Sequence, residues 1–217
     1  MGASSSASAS RKVARLETAF ALALAGFMSL ALVPSIAQDK GSCPEVIASL
    51  LPKNGVIRGG QYTPAGPMGM GSGAVDLPFE HPCLKSDKYP ARLSLAVSYY
   101  GGEMAELLKM QGDAVDEQTL QNAASEFERS KRPVKTEVLG EGRIVYYEYM
   151  TDCPVQDGAA DGIVLPKVPN VKLKGVARTD NVRLEVELEG RISTALAKAA
   201  VSEVFENLKK SRFDKAQ

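Results

Sequence analysis

At 217 residues, 44% hydrophobic and 24% charged, the chain is long enough for one domain with a sizeable core and too apolar to be disordered throughout. Its 26 basic residues balance 26 acidic ones with no basic tract, which argues against the concentrated positive face of a nucleic-acid binder. Three cysteines are too few for a disulfide-stapled miniprotein, and a single histidine confines any imidazole chemistry to one position.

The first element is an export signal. Arg11, Lys12 and Arg15 lead into the uncharged run 18–33; Pro34 breaks it, and Ser35 and Ala37 place small residues at the −3 and −1 positions of a cleavage site. This predicts a signal peptide over 1–37, cleaved after Ala37, with Gln38 as the mature N-terminus. The competing patterns are an uncleaved membrane anchor, a myristoylation site at Gly2, a twin-arginine signal at Arg11-Lys12 and a lipoprotein cysteine at Cys43. Each fits less well than cleavage, since a helix breaker and small residues coincide. Removing three basic residues and one acid from the 26 of each leaves 23 and 25, a net charge of −2. Contact with the membrane is expected only through the export signal.

Residues 38–217 read as one domain. Cys43-Pro44-Glu45 opens a short helix whose apolar face is Val46, Ile47, Leu50 and Leu51, and Pro52 with Asn54-Gly55 stops it. Val56-Ile57 opens a short strand. Residues 63–90 hold five prolines and the glycine cluster GPMGMGSG at 66–73, and are expected to be a long irregular loop. In 91–100, Leu93, Leu95, Val97 and Tyr99 alternate with Arg92, Ser94, Ala96 and Ser98, which predicts a strand with one buried face.

Met104, Leu107 and Leu108 predict a short helix. Asp116 is positioned to cap a second one, on which Leu120, Ala123, Ala124 and Phe127 share a face. Arg143 to Thr151 reads as a strand with Val145, Tyr147 and Tyr149 on one side and Ile144 and Tyr146 on the other. A second Gly/Pro loop is expected over 154–170. Strands 171–178 and 182–189 flank the turn Thr179-Asp180-Asn181. The last helix runs from about Ser193 to Lys210, with Ile192, Leu196, Ala199, Ala200, Val204, Phe205 and Leu208 marking its buried side.

One-sided alternation and irregular strand–helix order predict an α+β fold: a two-layer sandwich of antiparallel sheet with helices packed on one face. The strand–strand–helix ending, residues 171–210, resembles in element order small export-associated domains of the PsbP kind. The likeness supplies no motif, and no site residue is taken from it.

Several kinds of chemistry are weighed along the chain. GPMGMGSG lacks the Lys-Ser/Thr end of a P-loop, and Ser72 lacks the glycine two residues before it that a nucleophile elbow needs. Met68, Met70, His81 and Cys83 would together make a soft ligand set suited to Cu(I). Any Cys–His nucleophile pair must use His81, with Cys83 or Cys153. The cysteines are better explained by a disulfide, expected as Cys83–Cys153 on the premise that strands 91–100 and 143–151 pair, with Cys43–Cys83 as the next pairing. Glu185, Glu187 and Glu189 alternate with a core face and read as a solvated strand face. No catalytic set and no cofactor are expected. The leading reading is an exported, periplasmic or secreted protein: a non-enzymatic binding or accessory module of the cell envelope, whose partner is an envelope protein or a small ligand. The alternatives are the copper site and an enzyme with dispersed residues.

Overall fold

The computed structural model describes residues 44–82, 84, 89–153 and 166–211. The expected signal peptide, Cys43, Cys83 and most of the 154–170 segment lie outside the described residues. The chain divides into two units, Met1–Gln38 and Asp39–Gln217, and everything below concerns the second.

The short helix α1 (Glu45–Ala48) starts after Pro44 as expected and buries Ile47, with Leu50 and Leu51 following in the next turn. The irregular loop expected at 63–90 is largely a β-hairpin. Strands β1 (Val56–Ala65) and β2 (Met68–Leu77) pair along their length, and Ala65 faces Met68 across the two-residue turn Gly66-Pro67. Gly66 adopts φ +57, a conformation that favours glycine, and proline's fixed φ suits the next position. Strand β3 (Ala91–Tyr100) has the expected bounds and buries Leu93, Leu95, Val97 and Tyr99.

Next comes α2 (Glu103–Glu128), one continuous helix where two were expected. Asp116 is therefore not a cap; it is buried in mid-helix. Strand β4 (Lys135–Leu139) was not anticipated. Its Leu139 faces Gly142 of β5 (Gly142–Asp152) across a turn in which Gly140 has φ +59. Strand β6 (Lys167–Arg178) begins four residues earlier than the pattern suggested, and pairs with β7 (Val182–Arg191) around the expected turn. Helix α3 (Thr194–Lys210) is capped by Ser193, whose hydroxyl accepts the Leu196 N–H.

All seven strands form one antiparallel sheet in the order β1-β2-β3-β7-β6-β5-β4. It consists of two sequence-local meanders, β1–β3 and β4–β7, joined where β3 pairs with β7 from Ala91↔Gly190 to Tyr99↔Val182. The α+β class is as expected, and the layering has one addition. On the first face, α1 packs on β1 and β2 and α3 on β5 to β7, enclosing a core that includes Leu93, Leu173, Leu184, Leu188, Val204 and Phe205. On the second face, α2 seats Leu120, Ala123 and Phe127 on Val145 and Val176. The helices thus flank the sheet. Leu196 and Ala199 of α3, expected inside, face outward, and Ala197 and Val201 take their places.

Among the described residues no helix is long and apolar enough to cross a membrane.

Candidate functional site

The glycine cluster proves to be a packing device. Along β2, Gly69, Gly71 and Gly73 point to the first face, and Met68, Met70 and Ser72 to the second. A Cβ on Gly71 would lie 2.5 Å from Ile47 Cδ1 and 3.1 Å from the Tyr62 ring; one on Gly73 would lie 2.5 Å from Ile47 Cγ2; one on Gly69 would lie 2.5 Å from Tyr62 Oη. From Gly69 to Gly73 the strand has no side chains on that face because α1 and Tyr62 occupy the space; Val75 and Leu77 fill the same face beyond.

This arrangement separates the expected copper ligands. Met68 and Met70 share the exposed face near the Gly66 turn, whereas His81 follows the other end of β2. Leu77 lies seven steps along the strand from Met70, about 23 Å at the usual rise. His81 stacks on Phe79 at a centroid distance of 6.1 Å, and Phe79 packs on the cluster of Leu84, Cys153 and Val168. The structure therefore does not bring Met68 and Met70 to His81, and Cys83 lies outside the described residues. Among the described residues no group of three or more His, Cys, Asp or Glu side chains is placed to hold a metal ion. Cys153 is buried and is not a free thiol. The premise for pairing it with Cys83 fails in one respect: β7 and β6 lie between β3 and β5.

The second face carries a candidate site where alternation along β7 predicts only a solvated surface. Helix α2 crosses from β7 and β6 towards β5. Three side-chain contacts hold its middle, two of them ion pairs: Arg183 Nε donates to Asp116 Oδ1 at 2.7 Å, Arg183 Nη2 to Thr119 Oγ1 at 2.8 Å, and Arg178 to Asp113. Arg183 is nine-tenths buried. Burial depresses its basicity, but the Asp116 and Glu185 carboxylates outweigh this and hold it charged. Below this anchor a groove of about 560 Å³ opens between the C-terminal part of α2 and β3, floored by β6 and β7.

The floor follows from sheet register. Asp76, Arg92, Glu189 and Lys172 are successive partners across β2, β3, β7 and β6, a row of alternating charge. One step along, Glu187 faces Lys174. Asp76 accepts from Arg58 Nε at 2.5 Å and Arg92 Nε at 3.0 Å. Burial pushes the Asp76 carboxyl up, yet the two guanidinium groups prevail and hold it below the usual carboxylate range. Lys172 donates to Glu126 at 3.1 Å and lies over the Phe127 ring, 5.5 Å from its centroid; the Glu126 bond raises the lysine's pKa. Lys174 is partly desolvated, which lowers its pKa, but Glu187 at 2.8 Å and Glu185 at 3.7 Å raise it by more.

Sequence alternation placed the three glutamates on one side of β7 correctly. It could not show that α2 would wall that side into a groove, or that cations from β3 and β6 would interleave with them. A second, shallower cleft of about 360 Å³ lies at the β6–β7 turn beside the end of α3, lined by Asp180, Asn181 and Lys209 among others.

No family model matches this chain, and no curated protein matches it. Among solved structures it is similar to the extracellular domain of PknH from Mycobacterium tuberculosis, with 11% identity and a TM-score of 0.34, covering 78% of this chain and 92% of that one. A likeness this distant carries neither a site nor an activity across.

Proposed function

We propose that this protein is an exported binding module of the cell envelope, periplasmic or secreted, with no catalytic step of its own, and that its ligand docks in the groove between α2 and β3. The observation that carries the reading is the groove itself. It is concave, of small-ligand size and lined by convergent charged groups. Lys172 and Lys174, the amines of the described lining, are held charged by their carboxylate partners, which suits them to ion pairing rather than to nucleophilic attack. Export rests on the leader over 1–37.

A Cys83–Cys153 disulfide belongs to the same proposal. Leu84, adjacent to Cys83, packs with Cys153 and Val168. This contact of its chain neighbour is what supports the pairing. The bond would tie the segment between β2 and β3 to the end of β5 in an oxidising compartment.

Mass spectrometry of the chain produced with its leader in an exporting host tests these points together. The denatured mass is expected to match a chain beginning at Gln38 with two cysteines oxidised, and a non-reducing peptide map to link Cys83 to Cys153. The native mass is expected to exceed the denatured mass by one small molecule, and Lys172→Ala to lose it. Retention of Met1 or Gly2 overturns export by cleavage. Equal native and denatured masses, with no envelope component captured by crosslinkers placed in the groove, overturn the binding reading.

A further inference from the structure

The groove identifies a class of ligand, an inference that rests on the groove being the binding site. Its lining holds three cations, Arg92, Lys172 and Lys174, and three carboxylates, Glu126, Glu187 and Glu189. With no net charge, the lining offers little to a ligand of a single sign and matches one that carries both.

Most of these groups already have partners: Lys172 with Glu126, and Lys174 with Glu187 and Glu185. Two stand apart. Arg92 spends only its Nε on Asp76, which leaves the outer edge of a guanidinium whose side chain is 62% exposed. Glu189 is directly opposite Arg92 on β7, and among the described residues no ion pair joins the two. A free guanidinium edge receives a carboxylate through paired N–H donors, and a free carboxylate receives an ammonium. The spacing adds a length. Glu187 lies two residues from Glu189 along β7, about 7 Å away. An ammonium held between these glutamates and a carboxylate on Arg92 would stand about 7–10 Å apart, the reach of two or three extended residues.

We propose that the groove binds a short peptide with free termini, its C-terminal carboxylate on Arg92 and its N-terminal ammonium on Glu189 and Glu187. Lys172 lies on β6, on the far side of Glu189 from Arg92, and stays with Glu126.

Trialanine, N-acetyl-trialanine and trialanine amide, titrated by calorimetry and by amide NMR into the exported chain, test this. Trialanine is expected to saturate, with shifts centred on β3, β7 and the C-terminal half of α2. Blocking either terminus, or substituting Arg92→Gln or Glu189→Gln, is expected to weaken binding at least about tenfold, the loss of one charge-assisted contact. Glu106→Gln, outside the groove, is expected to bind as wild type, and thermal melts of all variants confirm folding. Absence of saturation at millimolar trialanine, equal binding of the blocked forms, or wild-type affinity in both groove variants overturns the proposal. A small molecule in the native mass together with no trialanine binding removes the peptide while leaving the binding module. Absence of both removes the module as well.

Discussion

At the scale of single residues, the glycines of β2 act through what lies opposite them. Gly71→Ala would place a methyl against both Ile47 and Tyr62. Overpacking of this kind costs about 1–3 kcal/mol, and urea denaturation is expected to show a loss in that range. Ile47 has no exposed surface, so Ile47→Ala alone creates a cavity costing about 2–5 kcal/mol. Combined, the two substitutions should cost less than their sum, because the new methyl enters the space the isoleucine leaves. Strict additivity would mean that Gly71 is tolerated for reasons other than contact.

Asp76 supplies a pH prediction at the same scale. Its carboxyl is held below the ordinary value of 3.8. A depressed acid contributes stability that is fully present above its unfolded value and lost as pH falls through the folded one. Asp76→Asn is therefore expected to destabilise by about 1 kcal/mol at neutral pH, modest because Arg58 and Arg92 are half-exposed. The gap between variant and wild type should close as pH drops below 3.8. Parallel pH–stability curves would contradict this assignment.

At the scale of elements, α2 is held to the sheet by a buried charge pair as much as by apolar contact. Asp116 and Arg183 are both buried and bonded to each other. Removing one partner of such a pair costs about 3–5 kcal/mol when the other charge is left uncompensated, and Glu185 still faces Arg183, so the loss should fall at the lower end. Asp116→Ala should show that loss and speed hydrogen exchange along α2. Asp113→Ala removes a carboxylate that is 90% exposed and should change stability by less than about 0.5 kcal/mol. The same anchor explains why one helix stands where two were expected. Gly112 punctuates the pattern at mid-helix, yet the Arg178 guanidinium lies directly against it where a Cβ would be. The glycine admits the arginine, and the helix continues. β4 has little local signature because it is a five-residue edge strand carrying Lys135 and Glu137. The Gly140-Glu141 turn between it and β5 was the local signal available.

At the scale of the whole sheet, the pairing of β3 with β7 joins two meanders that are each local in sequence. Leu93 and Leu188 face each other across that junction, and neither has exposed surface. Leu188→Ala is expected to cost about 2–5 kcal/mol. It should lower the midpoint for amides of β1–β2 and β4–β5 together, since both meanders share one core. Separate transitions for the two halves would show that each meander holds its own structure.

The amino-acid sequence by itself determined the central strands β3, β5 and β7, the β6–β7 turn and the capped helix α3. Their alternation, or helical period, records burial on one side, and that pattern is complete within a few neighbouring residues. Tertiary structure decided the rest. The first part of β2 has no apolar–polar alternation because Gly69, Gly71 and Gly73 leave its inward face bare, and only the arrival of Ile47 and Tyr62 shows why. The continuity of α2 depends on Arg178, and its docking on Arg183, which lies 67 residues from Asp116. The groove exists because register sets Arg92 opposite Glu189 and a helix from between their strands walls it on one side. Such juxtapositions are set by which strands become neighbours, and no local period in the chain encodes them.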